Sequence, residues 1–279
     1  MLTKFKSTII SSNNIRTDRD KFINLIGNNC SQEFFDNTDK INTSFINLLN
    51  GSINLCEINK DSDLIYDFDM NNFNQENGIK ALSFQSDNIE DDLENFKLKG
   101  LKVSEIKKKE FIDTENSIIE ILFFTIIKEN KFGLDLVIFE EKNFFLKSDI
   151  NLKNDQITKF NQVVVYTSES NNLKKLLMQD LDIRCALDKE FDFGNGKIRM
   201  MFFRIGGVTI EVVENKENEG TFFGGIGWHT ENMRFCHKRL SESNFDISEI
   251  RKGRKPGTLV STVRNAPLNI PTILIGLDD

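Results

Sequence analysis

A chain of 279 residues, 39% of them hydrophobic and 25 of them Phe, is long enough for two ordinary domains with filled cores. Its net charge of -7 excludes a general role on nucleic acid, which needs a basic face, and no apolar run approaches the roughly 20 residues of a membrane span. The opening "MLTKFKSTIISSNN" lacks the apolar centre of a signal peptide, so the expected location is cytoplasmic. Cys30, Cys56, Cys185 and Cys236 stand far apart with no C-x-x-C spacing and read as reduced thiols.

In chain order, "STIISSNNIRTDRDKFINLIG" gives an apolar strand, a polar turn with N-cap residues available, and a helix; a strand pair ending in "GSINLCEI" follows. "GIKALSFQSDNIEDDLENFKLKG" repeats the strand and helix, with Ile89, Leu93 and Phe96 on one helical face, and leads into "GLKVSEIKKKE". After the linker-like "EKNFFLKSDINLKNDQITK" the pattern returns in "NQVVVYTSESNNLKKLLMQDLD", closed by "IGGVTIEVV", whose Ile205–Gly207 is a hairpin turn and not a phosphate loop. "GIGWHTENMRFCHKRLSESN" is the last strand and helix, with a weaker stripe of Met233, Cys236, Arg239 and Leu240, and "NFDISEIRKGR" echoes "GLKVSEIKKKE". Four strand–helix–three-strand units thus fit residues 5–70, 78–141, 160–214 and 224–277. The expected domains are 1–141 and 160–279, joined by a linker over 142–159. A helix feeding three strands covers one sheet face and leaves the other free, so paired units curve into a cup. All three prolines fall in "GRKPGTLVSTVRNAPLNIPTILIG": Pro256-Gly257 as the turn of a hairpin over Gly253–Gly257, and Pro267 and Pro271 bordering the loop before the closing strand.

"FNQVVVYTSESNNLKKLL", "RMMFFRIGGVTIEVVE", "GGIGWHTENMRFCHKRL" and the proline-bearing segment resemble the glyoxalase-like proteins of the vicinal oxygen chelate superfamily, whose modules are βαβββ. The resemblance implies an α+β fold of two such domains, each a cupped, incompletely closed mixed β-barrel made of paired modules, with helices on the convex face. Active members of that family hold a divalent metal with His on the first strand of a module and Glu on its last, and the metal polarises neighbouring substrate oxygens. Carried onto this chain, the His positions fall on Gln162 and Gly225, and on Ser7 and Ala81 in the first half. The Glu positions fall on Glu211 and Glu57, expected to superpose, with Glu140 as a further candidate, while "PTILIG" offers no acid. The resemblance therefore implies either no cofactor or a weakly bound divalent metal at Glu211 and Glu57, a carboxylate set suited to Mg²⁺ or Mn²⁺ rather than zinc.

Of the two histidines, His229 shares strand parity with Gly225 and is the candidate base or donor, whereas His237 lies in a helix and is expected to be exposed. Thr262 and Arg264 share a polar strand face, and Arg254 and Lys255 sit in the adjoining turn. With Gln162 and Glu211 they form the expected ligand-binding set. Arg199, Arg204 and Tyr166 are weaker clues. The expected function is binding or transforming a small carbonyl or anionic metabolite in the second cup. The alternatives are a non-catalytic sequestering protein of bleomycin-resistance type and, third, a metal-dependent lyase or extradiol dioxygenase. The expected partners are a small molecule, no nucleic acid and no membrane; a homodimer is allowed.

Overall fold

The computed structural model describes residues 2–28, 31–36, 42–57, 78–113, 118–127, 133–141, 153–194 and 196–278. Cys30, and 142–152 of the expected linker, lie outside these. Each module opens on a strand followed by a helix: β1 (Leu2–Ser12) and α1 (Ile15–Ile26), β5 (Gly78–Ser86) and α2 (Ile89–Leu98), β9 (Ile157–Thr167) and α3 (Ser170–Lys174, running on as a π-helical turn over Lys175–Asp180), β13 (Thr221–Thr230) and α4 (Met233–Glu242). In the first two modules the polar turn is built by one device. Ser12 Oγ accepts from Asn14 N–H at 3.1 Å and donates to Asp18 at 2.7 Å; Ser86 does the same with Asn88 and Asp92 at the same distances. Asn14, Asn88 and Asn232 then cap their helices by accepting from the backbone N–H of Thr17, Asp91 and Phe235.

The remaining strands are β2 (Ser31–Asp36), β3 (Asn42–Leu48), β4 (Gly51–Glu57), β6 (Lys107–Asp113), β7 (Ile118–Ile126), β8 (Asp135–Glu141), β10 (Arg184–Asp192), β11 (Lys197–Ile205), β12 (Val208–Glu214), β14 (Arg251–Lys252), β15 (Thr258–Val263) and β16 (Thr272–Leu277). They form two sheets. The first runs β1-β4-β3-β2-β6-β7-β8-β5, with β5 returning to β1 and β2 joined to β6; the second runs β10-β11-β12-β9-β13-β16-β15-β14 and stays open between its end strands. In every module the first strand pairs parallel with the last, and first strands of neighbouring modules pair antiparallel. Helices cover the convex faces, α1 against β3 and β4, α2 against β7 and β8, α3 against β12, and α4 against β15 and β16.

Strand alternation decides what each cup contains. Inside the first, Ile9, Phe45, Ile121, Phe123, Val137 and Phe139 are all buried, so its interior is packed with side chains. Between the sheets, Phe160 packs edge-on to Phe5 and against Trp228, with centroids at 5.3 and 4.9 Å, which joins the two cores. Asn50 adds a reciprocal pair with the Phe160 backbone, donating to its carbonyl at 2.8 Å and accepting from its N–H at 2.9 Å. Arg239, expected within an apolar stripe, instead sends its guanidinium to the carbonyls of Asp155, Asn24 and Leu25 at 2.7–2.8 Å, while Met233, Cys236 and Leu240 are buried as expected. No helix among the described residues is long and apolar enough to cross a membrane.

Candidate functional site

The concave face of the second sheet differs from the packed interior of the first. Register places Leu187, Phe202, Glu211, Val164 and Gly225 in one lateral row, and Arg204, Thr209, Gln162, Gly227, Ile273 and Thr262 in the next. Phe202, Val164, Ile273 and Thr262 are only half-buried and Leu187 is exposed, so this is an open cup whose walls mix apolar and polar side chains. Tyr166 and Phe222 stack at 5.4 Å on a neighbouring row, and Phe191 meets Phe202 edge-on at 6.3 Å. Three glycines let β13 serve as a flat floor. A Cβ at Gly227 would lie 2.6 Å from Gln162 Cγ, and one at Gly224 would enter the Tyr166 ring.

Glu211 is 8% exposed, and its carboxylate accepts a hydrogen bond from the Gln162 amide. Burial pushes its pKa above the ordinary glutamate range, and the nearby Arg254 guanidinium only partly opposes this. A carboxyl whose folded value is raised binds more protons folded than unfolded, so stability should fall as pH rises through its ionisation. Glu211→Gln should remove that component, about 1.4 kcal/mol for each tenfold gain in proton affinity on folding, in denaturant melts taken across pH. Equal pH dependence in both proteins would remove Glu211 as the source.

The other expected site residues separate into groups. Thr262 lies on the cup face and accepts from Arg251 at 3.5 Å. Arg254 lies at the mouth, with its guanidinium carbon 4.0 Å from the centroid of the Phe193 ring, and Lys255 is exposed in the same turn. His229 is on the same strand face as Gly227, but toward the strand end with Lys159 and 3.5 Å from Glu231, a polar cluster away from Glu211. Arg264 does not reach the cup: it is exposed, past the end of β15, and pairs with Asp246 at 2.6 Å, because the strand's concave parity ends at Thr262. Arg199 belongs to the convex side, held to Asp188 at 2.7 and 2.8 Å beside α3. His237 is tied to the Ser248 carbonyl at 2.9 Å.

The expected superposition of Glu57 on Glu211 is corrected by register. Ser12 pairs with Glu57 and Thr167 with Glu214, and Gln85 pairs with Phe139 one residue before Ser86 and Glu140. Glu57, Glu140 and Glu214 are therefore equivalent. Glu140 accepts from Ile89 N–H at 2.8 Å and Glu214 from Ser170 at 2.5 Å, both at helix N-termini, where an anion is favoured. The position equivalent to Glu211 in the first sheet is Asn54, three residues earlier. Sequence reasoning noted Tyr166 but missed Phe191, Phe193, Phe202 and Phe222, although the alternation in "EFDFGNG" marks a strand end rich in Phe.

Among solved structures, the chain is similar to a mutant of 4-hydroxymandelate synthase from Streptomyces coelicolor, with a TM-score of 0.72 and 9% identity over 99% of this chain and 93% of that one. A hypothetical protein from Staphylococcus aureus matches with a TM-score of 0.68 and 10% identity over 99% and 100% of the chains. A catechol 2,3-dioxygenase matches at 0.63 and 9% identity, over 99% and 93%. This is the vicinal oxygen chelate fold. No family model and no curated protein matches the sequence.

The metal positions that the resemblance implies for the second cup are occupied by Gln162, Glu211 and Gly225, and the last strand places Ile273 beside Gly227. Glycine and isoleucine supply no ligand, and the carboxylate already engages an amide. Among the described residues no group of three His, Cys, Asp or Glu side chains is placed to hold a metal. Gly225 has φ of 139°, and a Cβ there would run into the Pro271 carbonyl oxygen, so the position does not admit a side chain. These residues do not fit the family's metal.

Proposed function

We propose that the second cup binds a small oxygenated organic molecule without a resident metal, and that Glu211 in its neutral form donates a hydrogen bond to the ligand's oxygen. The observation that carries this is a buried carboxyl, steadied by Gln162, on the floor of an open cup. In such a pocket a few placed polar groups orient a ligand whose affinity comes mainly from apolar contact. With one carboxyl oxygen accepting from Gln162, the other is left to act as the donor. The first barrel, filled by its own side chains, offers no comparable space among the described residues. The polar groups of the second cup favour binding over chemistry: among the described residues Glu211 is the one acid on its floor, and His229 sits with Glu231 at the strand end.

The test is a thermal-shift screen of small carbonyl compounds and carboxylates, followed by calorimetry on the best hit with wild type, Val164→Trp and Glu211→Gln. Val164→Trp fills the cup and should abolish binding while circular dichroism stays native. Wild-type affinity should fall about tenfold as pH rises and Glu211 ionises, the scale of one hydrogen bond. Glu211→Gln keeps a donor and should bind with little pH dependence. Undiminished binding to Val164→Trp would move the ligand out of the cup.

A further inference from the structure

The two free edges of the second sheet meet at one point. Phe193 follows the end strand β10 and Arg254 follows the opposite end strand β14, and these strands share no hydrogen bonds. The Arg254 guanidinium nevertheless sits 4.0 Å from the Phe193 ring centroid. Arg254 forms no ion pair among the described residues, in a chain with an excess of acids. Its charge is near enough to Glu211 to oppose the upward push that burial gives that carboxyl.

We propose that Arg254 and Phe193 form a clasp across the mouth of the cup, and that its key is a planar organic monoanion whose charged group takes Arg254 from the ring. This rests on the cup being the binding site and adds the charge and shape of what enters it. An exposed cation–π contact is weak beside a charge-assisted, two-pronged hydrogen bond to a carboxylate or sulfonate, so an anion displaces the ring from the guanidinium. The walls set the shape. The glycine floor of β13, the Tyr166–Phe222 stack and the exposed edge of Phe193 present flat surfaces to a flat body. Ligand entry and clasp opening are then one event: the anion that satisfies Arg254 also frees Phe193 to cover the bound ring.

Two fluorescent probes with closely related ring bodies separate charge from shape: 1-anilinonaphthalene-8-sulfonate and the uncharged N-phenyl-1-naphthylamine. Wild type should bind the sulfonate about tenfold more tightly than the neutral twin. Arg254→Gln should erase that preference and leave the neutral probe within twofold. Phe193→Ala should raise the association rate of the sulfonate several-fold in stopped flow, because no ring has to be displaced. Val164→Trp serves as the control for the cup. If it abolishes binding of both probes while Arg254→Gln leaves their ratio unchanged, the clasp is wrong and the cup stands. If Val164→Trp changes neither probe, the cup is wrong and the clasp falls with it.

Discussion

Arg239→Ala should lower unfolding free energy by about 3 kcal/mol, the scale of charge-assisted hydrogen bonds lost from partly buried carbonyls after some rehydration. On this chain length that is a fall of roughly 6–12 °C in melting temperature. The guanidinium of α4 donates to Asn24 and Leu25 at the end of α1 and to Asp155 before β9, tying the two sheets' layers together. Helix α1 carries no basic residue in its own last turn, so the cation that its C-terminal carbonyls favour comes from more than 200 residues away. Gly27 makes room for it: a Cβ there would lie 2.7 Å from Arg239 Cζ, and its φ of 86° already calls for glycine. Arg239→Lys, with one compact charge in place of a planar fork, should recover only part of the loss. A melting temperature for Arg239→Ala within 2 °C of wild type would refute this role.

That interaction also marks where sequence reading stops. The repeat is legible because its determinants are local: a serine or threonine at the strand end, an N-cap two residues later, apolar residues at helical spacing. Those rules place β1, β5, β9 and β13 and their helices without knowledge of any partner. Arg239 is misread because the carbonyls it serves are distant in sequence, so only its spacing beside Cys236 and Leu240 is visible. The glutamates mislead for a related reason. "NLCEI" and "TIEVV" look alike, but pairing with the first strand sets the level of each: Glu57 stands opposite Ser12, at the level of Glu214 and three residues beyond that of Glu211. Arg264 continues the parity of Thr258 and Thr262 in sequence, yet the strand ends at Val263 and the side chain turns to Asp246. The contact of Phe193 with Arg254 depends on how far the second sheet curls, which no single segment encodes.

The two sheets share a repeat and differ in what fills them. Phe45, Phe123 and Phe139 fill the first interior, whereas in the second the equivalent of Phe45, Phe202, is only half-buried and β13 carries Gly224, Gly225 and Gly227. Of the two cups, packing closes the first and the second stays open. Glu211, the carboxyl on the second cup's face, is the one whose pKa burial pushes upward. Space and chemistry therefore coincide in the second cup.

Glycine at position 225 also determines whether a metal-ligating side chain can be placed there. Gly225→His should destabilise the protein by about 3 kcal/mol or more and confer no zinc binding, because the position combines a φ of 139° with a Cβ direction that points into the Pro271 carbonyl oxygen. That oxygen is fixed, since it accepts from Ile226 N–H at 2.9 Å, so relief would require β13 and β16 to separate where they pair. Gln162→His is the contrasting change. Gln162 is half-buried on an ordinary strand, so its replacement forfeits the bond to Glu211 and should cost only about 1–2 kcal/mol. Thermal melts and calorimetric zinc titration of both variants and the double variant provide the measurement. Gln162→His should fold and bind zinc no better than wild type, and the double variant should be as unstable as Gly225→His alone. A double variant that melted like wild type and bound zinc at micromolar concentration would mean that only ligand identity, and not the backbone, had been lost at this site.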